Sequence, residues 1–450
     1  MNAPGEGRVR LAVALGAILA PLNSTMLAVA LPDVIAHFDA DIGSAGWLMT
    51  FYLLALVVVQ PIAGKLGDRF GRRPFMLAGL AVFGLVSLAA AMAPNLAVLI
   101  AMRTMQAIAG AVVFPNGAGL LRQLIPAARR ARAFGMMGAL LSAAAALGPP
   151  LGGVIVALGG WRAIFLVNVP VVLAALVLAW QAIPRHIPPA DAPPAFDTAG
   201  ALLFPGVLLG IALLVIEGRH LPAVWMPVAA LALAGLAVIF LRRELGHADP
   251  VFPPRLFARR GFAAATLGVS ASNLGSYTLL LAVPVLMARQ GGSSIAAGMA
   301  LALMSAPMVA CAALGGQMAD RLGRRAPVLL GCSLLAMSLA PLAAMPELQG
   351  AGFLACLALS GVGMGLASAG LQTAAVEAVD ATQAGLAAGL YSTCRYIGSF
   401  AGSIALARLL DSAAGPGGVQ WLFILCFAGA LVAVGAALLL PSSGKKDVLF

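Results

Sequence analysis

Long runs of apolar residues, each separated from the next by a short polar segment, follow one another along the whole chain. Because about twenty apolar residues are needed to cross the hydrocarbon core of a bilayer, each run predicts one membrane-spanning helix. The chain should therefore be an all-α polytopic membrane protein with fourteen transmembrane helices and both termini on the same side. The predicted spans lie near 9–32, 46–64, 74–92, 96–118, 132–157, 162–182, 198–216, 223–241, 261–288, 294–318, 326–345, 350–374, 381–409 and 419–440.

The basic residues indicate which side of the membrane holds the termini. Cytoplasmic loops of membrane proteins carry an excess of lysine and arginine. If the amino terminus is cytoplasmic, 21 of the 27 basic residues fall in cytoplasmic segments, and Arg162, Arg219 and Arg289 fall outside. We therefore expect a multi-pass protein of a bacterial-type cytoplasmic (inner) membrane with both termini in the cytoplasm.

One motif occurs twice, at an offset of eight predicted helices. The segment from Gly64 to Pro74 joins helices two and three, and its echo from Gly316 to Pro327 joins helices ten and eleven. Parallel six-helix halves are a known plan of membrane proteins, so the offset indicates a 6 + 2 + 6 arrangement with one inserted helix pair. We expect an amino-terminal bundle over 1–185, a linker with the inserted pair over 186–250, and a carboxy-terminal bundle over 251–450.

The composition agrees with this topology and excludes several classes of protein. The chain is 62% hydrophobic and 10% charged, whereas soluble domains have about 25% charged residues, so an enzyme or binding module that works in water is excluded. The net charge of +11 does not indicate nucleic-acid binding, because the basic residues lie in short loops rather than in one stripe. The five cysteines are scattered over apolar runs and do not predict a disulfide framework.

Five short segments together resemble those of one protein family. The repeated motif, first present at Gly64–Pro74, is similar to the signature loop of the major facilitator superfamily. Arg103–Gly110 looks like the arginine-bearing motif of that family's fourth helix, and Ala146–Gly153 like the fifth-helix motif associated with antiporters. Leu22–Pro32 and Trp161–Pro170 are similar to stretches of the fourteen-helix drug:proton antiporter branch, the multidrug efflux type.

The resemblance implies that the repeated motif is a conformational-switch loop. Glycines there allow sharp turns and close helix contacts, and the aspartate can accept hydrogen bonds from arginines or from a helix amino terminus. The alternative is that the basic residues only fix the topology, although this would require neither the aspartate nor the glycines. The residues concerned are Gly64, Asp68, Arg69, Gly71, Arg72, Arg73, Asp320, Arg321 and Arg324.

Two further motifs are candidates by resemblance. The candidate residues of the fourth-helix motif are Arg103, Gln106 and Gly110. Those of the antiporter-like fifth-helix motif are Gly148, Pro149, Gly152 and Gly153. The resemblance implies a hinge-like role in export for the fifth-helix motif, because proline kinks a helix and glycine allows tight packing. A kink without any directional meaning is the alternative.

Charged residues inside predicted helices are rare. Arg103 lies in the fourth helix and Arg395 near the middle of the thirteenth. An arginine at the bilayer centre costs about 2.5–3.5 kcal/mol, so such residues usually face a cavity and have a function. Arg408 lies near a helix end and is expected to reach the interface.

No acidic residue lies clearly at mid-membrane in the predicted topology. The antiporter branch commonly has an aspartate in the first helix where this chain has Asn23, and an amide cannot titrate. Proton coupling would need Asp33, which follows the predicted first helix, Asp68 or an acid at a helix end, and Asp33 is our candidate proton site. With Arg103 and Arg395 unbalanced, the cavity suits neutral, zwitterionic or anionic amphiphiles.

Polar and aromatic residues could line a substrate cavity, although each could equally form a helix–helix hydrogen bond or an interfacial anchor. The candidates are Asn23, Thr25, Trp47, Tyr52, Asn273, Tyr277, Tyr391 and Arg395.

These observations predict a secondary active transporter that exports lipophilic small molecules from the cytoplasm by proton antiport with alternating access. Its partners would be an amphiphilic substrate, protons as the coupling ion, and the lipid bilayer. We expect no enzymatic activity, cofactor, metal, nucleic acid or ATP, because no metal-ligand cluster, nucleophile–base pair or phosphate loop is present in the sequence. A uniporter, importer or lipid translocator of the same fold is one alternative, and a non-transporting membrane sensor or structural protein is another.

Overall fold

The chain folds into α-helices joined by short turns. The computed structural model describes residues 6–185, 197–218, 222, 224–247, 250–347, 349–379, 384–410 and 417–441. Within these helices the side chains of Asp68, 127–135, 138, 139, 142, 384 and 385 lie outside the description. The described residues contain no β-strand, and a short 3₁₀ helix occupies Pro254–Ala258.

The predicted apolar runs fall on α-helices, except that the sixth, 162–182, begins within the fifth helix and continues through the sixth. The helices are α1 (Glu6–Phe38), α2 (Ile42–Phe70), α3 (Arg72–Ala91), α4 (Leu96–Leu124), α5 (Ala127–Leu166), α6 (Asn168–Ala182), α7 (Thr198–Ile216), α8 (Trp225–Gly246), α9 (Arg260–Arg289), α10 (Ser294–Leu322), α11 (Arg325–Ala344), α12 (Gly350–Glu377), α13 (Ala384–Leu409) and α14 (Gly418–Leu438). By length and composition, 12 stretches of the described chain could cross a membrane.

Several helices extend beyond the predicted spans, and in α1 and α12 the difference moves an acidic residue into the helix. Helix α1 continues through Pro32 to Phe38, so Asp33 lies within the helix rather than after it. Helix α12 continues to Glu377, beyond the predicted span that ends at 374. A proline loses only its own N–H and can remain inside a membrane helix when the freed carbonyl is satisfied locally, so Pro32 was a poor marker of the end of α1.

The repeated motif is mostly helical and not a loop. The residues from Gly64 to Phe70 form the last turns of α2, and Gly71 alone breaks the helix with φ 100°. Gly323, at the equivalent place in the second copy, has φ 84° between α10 and α11. Residues with a Cβ rarely adopt a positive φ, so a glycine is needed at this one position of each copy.

The helices form two compact units. Unit 1 contains Met1–Val251 and Pro284–Gly298, and unit 2 contains Phe252–Val283 and Met299–Phe450. Buried side chains of α1, α3, α4 and α6, among them Leu19, Leu80 and Val172, form a core in unit 1. In unit 2 a second core brings together α9, α11, α12, α13 and α14.

The helix pair α7–α8 belongs to unit 1, and its second helix is largely exposed. Glu244 is the buried residue of α8. Asp197, whose side chain is fully buried, accepts hydrogen bonds from Gly200 N at 3.0 Å and from Arg243 Nε at 2.9 Å. It therefore caps the start of α7 and ties it to the end of α8.

The carboxyl group of Asp197 is held in its charged form. Burial raises its pKa, but the hydrogen bonds from Gly200 and from the Arg243 guanidinium outweigh burial, and the pKa lies below its usual value. Because the folded-state pKa is depressed, the stabilisation is present at neutral pH. It is lost only as the pH falls through the range below about 4.

Replacing Asp197 should destabilise the α7–α8 pair. We expect Asp197→Ala to lower the free energy of unfolding by about 1–2 kcal/mol, because the cap and the ion pair are both lost. Asp197→Asn is the matched control, since asparagine caps equally well and loses only the charge. The apparent Tm in detergent at pH 7 measures both variants, and equal values for the two would contradict the capping role.

Candidate functional site

The centre of unit 1 contains a fully buried arginine. Arg103, at the end of the second turn of α4, donates through Nη1 to Asn23 Oδ1 of α1 and to Gln106 Oε1 of its own helix. Its guanidinium carbon lies 3.7 Å from the centroid of the Tyr52 ring on α2. A buried charge is tolerated when hydrogen bonds and a favourable ring face replace its hydration, and the structure provides both.

The polar cluster around Arg103 joins four helices. Gln106 Nε2 donates to Ser87 Oγ of α3 at 2.7 Å, and Ser87 Oγ donates to Phe83 O at 2.6 Å. Tyr52 donates its hydroxyl to Ala20 O of α1 at 2.8 Å. We call Asn23, Tyr52, Ser87, Arg103 and Gln106 the Arg103 cluster. Sequence reasoning found its members except Ser87, because nothing local distinguishes one membrane-helix serine from another.

Glycines of the fifth-helix motif bring α5 against α1. A Cβ on Gly152 would lie 2.9 Å from both Cα and O of Met26, and a Cβ on Gly148 would overlap the side chain of Thr25. Thr25 Oγ1 donates to Pro21 O and Leu22 O of its own helix, at 3.0 and 3.1 Å. Thr25 therefore packs against α5.

The opposite side of the same motif meets the first turns of α10, which belong to unit 1. A Cβ on Gly153 would lie 2.7 Å from Ser294 O and 3.3 Å from Gly298 Cα. In return, a Cβ on Gly298 would lie 2.7 Å from Pro149 O. The expected tight packing is therefore present, and it is made to two helices rather than one.

The first copy of the repeated motif packs on α4. Asn116 Nδ2 donates to Ala63 O of α2 at 3.2 Å and to Val112 O at 2.8 Å. A Cβ on Gly67 would lie 2.7 Å from Asn116 Cγ, whereas a Cβ on Gly64 would make only an ordinary contact. Asn116 was not predicted, because its role depends on a glycine fifty residues earlier in the chain.

The arginines of that copy donate to main-chain carbonyls. Arg72 Nη1 lies 3.4 Å from Pro115 O, and its guanidinium covers Gly119 of α4, where a Cβ would overlap it. Arg73 donates to Ile183 O at 2.9 Å and to Trp180 O at 3.1 Å, and so binds the end of α6. Arg69 is exposed beside Phe70. The side chain of Asp68 lies outside the described residues.

In the second copy an arginine pairs with two carboxylates. Arg324 donates to Glu377 through Nη2 at 2.8 Å and Nε at 3.0 Å, and to Asp320 at 2.7 Å. Hydrogen bonds to the two carboxylates raise the pKa of the Arg324 guanidinium above its ordinary value, and those to Glu377 contribute more than the one to Asp320. Glu377, at the end of α12, was missed because its partner is far away in the sequence. Arg321 is exposed.

The candidate cavity residues of unit 2 lie on α9 and α13. Asn273 Nδ2 donates to Val269 O of its own helix at 3.1 Å, and Tyr391 is buried with its hydroxyl 3.5 Å from Ser368 O. Tyr277 is half-buried on α9. Arg395 is also half-buried, 4.5 Å from the Tyr396 ring centroid, and forms no ion pair within the described part of the chain.

Other candidates of unit 1 lie apart from the Arg103 cluster. Trp47 Nε1 donates to Glu217 Oε1 at 3.1 Å, so it ties α2 to the end of α7. Gly110 contacts Ala20 of α1, where a Cβ would lie 3.2 Å from Ala20 Cβ. Asp33 lines a small cavity beside the start of α10.

A methyl group at position 152 should weaken the α1–α5 contact. The Met26 backbone cannot rotate away from it, so we expect Gly152→Ala to cost about 1–3 kcal/mol of stability. Gly235→Ala on α8 is the matched control, because a Cβ there has no atom within 4 Å. Apparent Tm values in detergent compare the two variants, and an unchanged Gly152→Ala protein would contradict the close approach.

Comparisons with known proteins agree with this architecture. The model of the Major Facilitator Superfamily matches residues 13–403 and again 265–449. The uncharacterized MFS-type transporter YvkA of Bacillus subtilis (strain 168) is 33% identical over 441 residues, which are 97% of each chain. The tetracenomycin C resistance and export protein of Streptomyces glaucescens is 31% identical over 415 residues, 90% of this chain and 76% of that protein.

A solved structure shows the same fold. The crystal structure of a D-xylose-proton symporter superposes with a TM-score of 0.67 at 15% identity and covers 98% of this chain and 99% of that one. At that identity the likeness concerns the fold alone. The family match over most of the chain and the relative that is 33% identical across nearly all of it lead to one conclusion. The chain belongs to the Major Facilitator Superfamily and is a multi-pass membrane transporter.

Proposed function

We propose that this transporter exports lipophilic small molecules, such as drugs, antibiotics or toxic metabolites, from the cytoplasm by proton antiport with alternating access. The observation that carries the proposal is the close packing of the Gly148–Gly153 segment, which resembles the antiporter motif, against α1 and α10. The 31% identity to a tetracenomycin C resistance and export protein supports a small-molecule substrate.

The proposal includes fourteen spans in a 6 + 2 + 6 arrangement, with both termini cytoplasmic in a bacterial inner membrane. One of the 12 apolar stretches, Ala143–Ala182, contains two helices in sequence, separated near Gly160, which has φ 68°. Helix α13 is not among the 12, because it carries Arg395 and several hydroxyl groups, yet it has 26 residues. Counting both as spans supports fourteen.

The domain organisation follows from the repeat. We assign the amino-terminal bundle to 1–185, the inserted pair and its linkers to 186–250, and the carboxy-terminal bundle to 251–450. The break between the compact units at Val251 and Phe252 supports the second boundary. The repeated motif would act as the conformational switch, with Gly71 and Gly323 as its two fixed turns.

The two membrane arginines have different proposed roles. Arg103 is fully buried and engaged by α1 and α2, so it holds helices together around the transport path. Arg395 is only half-buried, which leaves its guanidinium available to a substrate. With Asn23 in place of a carboxylate, this arrangement favours neutral, zwitterionic or anionic amphiphiles over cations.

Restoring an acid at position 23 should change this preference. We expect Asn23→Asp to gain export of the cationic dye ethidium, because a carboxylate beside Arg103 removes the excess positive charge. Asn23→Ser, which keeps the site neutral, is the matched control. Dye efflux from cells expressing each variant is the measurement, and an aspartate variant that gains no ethidium export would count against the assigned substrate charge.

Two alternatives remain distinguishable by experiment. A uniporter, importer or lipid translocator of the same fold would move substrate without a proton gradient or in the inward direction. A sensor or structural membrane protein would move none. The resemblance of the Gly148–Gly153 segment to the antiporter motif favours export over import.

Flux in inside-out vesicles tests the function. We expect accumulation of the neutral probe N-phenyl-1-naphthylamine or the anionic probe 8-anilinonaphthalene-1-sulfonate when a proton gradient is imposed, and loss of accumulation with a protonophore. Vesicles without the protein give the background. Transport that continues in the presence of the protonophore would mean that the protein is a uniporter or uses another coupling ion. Absence of transport of both probes would contradict the export proposal.

A further inference from the structure

A small cavity lies within unit 1, beside the last turns of α1. Pro32 and Asp33 of α1 form one wall, and Pro284 of α9 with Ser293, Ser294 and Ala297 at the start of α10 form another. Its volume is about 30 Å³, which is enough for one water molecule. A polar lining and room for one water make it a candidate ion or proton site.

Asp33 is the acidic group of this cavity. It is half-buried within α1 and makes no side-chain hydrogen bond or ion pair with any residue in the described ranges. Carboxylates inside membrane helices are costly and usually functional. The first turn of α10, whose Ala296 N–H donates to Ser293 Oγ at 3.2 Å, reaches the same cavity and presents the positive end of its helix dipole.

Other charged groups surround the cavity without lining it. His37 follows one turn later on α1 and lies 3.1 Å from the Arg162 guanidinium of α5. Arg289 ends α9, just beyond Ala288, and Asp39 is exposed after α1. Asp33 is thus the one titratable side chain among the described residues that line the cavity.

The two helices that form the walls of the cavity, α1 and α10, also contact the glycines of α5. Ser294, which lines the cavity, has its carbonyl oxygen against Gly153. Met26, which packs on Gly152, precedes Asp33 by two helical turns and therefore lies on the same face of α1. A change in the distance between α1 and α10 at the cavity must therefore be accommodated by the Gly152–Gly153 contacts.

From this arrangement we infer that Asp33 binds the transported proton and controls the separation of α1 and α10. The charged carboxylate requires water, so it holds the cavity open. A proton added to one carboxylate oxygen neutralises the group, and the cavity can then empty and the start of α10 can close onto α1 and α5. The inference rests on the proposed antiport and names the group that would couple the proton to the motion.

Thiol labelling tests the inference without any transported substrate. Ser294→Cys places a thiol in the cavity wall, and Ala36→Cys, exposed one turn from Asp33 on α1, is the matched control. Dividing their labelling rates with a methanethiosulfonate reagent corrects for the pH dependence that the two thiols have in common. The unmodified protein gives the background of its native cysteines. We expect the ratio to rise several-fold as the pH is raised from about 4.5 to about 8.5.

Replacing Asp33 should abolish that pH dependence. With Asp33→Asn the ratio should stay low at every pH, whereas Asp33→Glu should restore the rise. A flat ratio in the protein with Asp33, or a rise that persists with asparagine, would overturn the inference. The exposed Asp39→Asn change is the charge control.

Vesicle flux separates this inference from the proposed function. Asp33→Asn should lose gradient-driven probe accumulation but retain exchange of labelled for unlabelled probe without a gradient, while Asp39→Asn keeps both. If Asp33→Asn still accumulates probe with the gradient, Asp33 is not the coupling acid and the export proposal stands. If the protein with Asp33 moves no probe, export fails, and the labelling experiment still decides the role of Asp33 in the α1–α10 motion.

Discussion

Direct contact between helix backbones at glycine is the constraint on which this structure depends. Lipid solvates apolar side chains as well as a protein interior does, so helices associate through close packing rather than through the hydrophobic effect. In unit 1, α5 meets α1 and α10 at Gly152 and Gly153. In unit 2, a Cβ on Gly363 would lie 2.6 Å from Gly331 O, which brings α12 equally close to α11. Helix α8, where a Cβ on Gly235 would have no atom within 4 Å, is correspondingly exposed.

Close packing makes the Arg103 cluster possible. A polar group in the hydrocarbon region must find its partners inside the protein. The guanidinium of Arg103 finds amide oxygens on α1 and α4 and an aromatic face on α2 because those helices already lie close together. Two contacts thus fix the position of helix α1: the polar cluster at Asn23 and the glycine contact at Met26. Any motion of α1 must act on both.

The sequence predicted what depends on local pattern. The apolar runs gave the positions of the helices, and the glycines of the fifth-helix motif indicated a tight contact. The ends of α1 and α12 were wrong because Pro32 and the polar residues near Glu377 suggest loops, although the helices continue. Ser87, Asn116 and Glu377 could not be found, since each is defined by a partner on another helix. The choice of α1 and α10 as partners of α5 is likewise a tertiary property.

The arginines of the repeated motif make two kinds of contact. Arg72 and Arg73 donate to main-chain carbonyls, whereas Arg324 pairs with Asp320 and Glu377, whose side chains are 76% and 52% exposed. Dissolved ions screen exposed ion pairs but have little effect on hydrogen bonds to carbonyl dipoles. Rising ionic strength should therefore weaken the contacts of Arg324 and loosen the α10–α11 turn. The junction between α10 and α11 is thereby linked to the salt content of its surroundings.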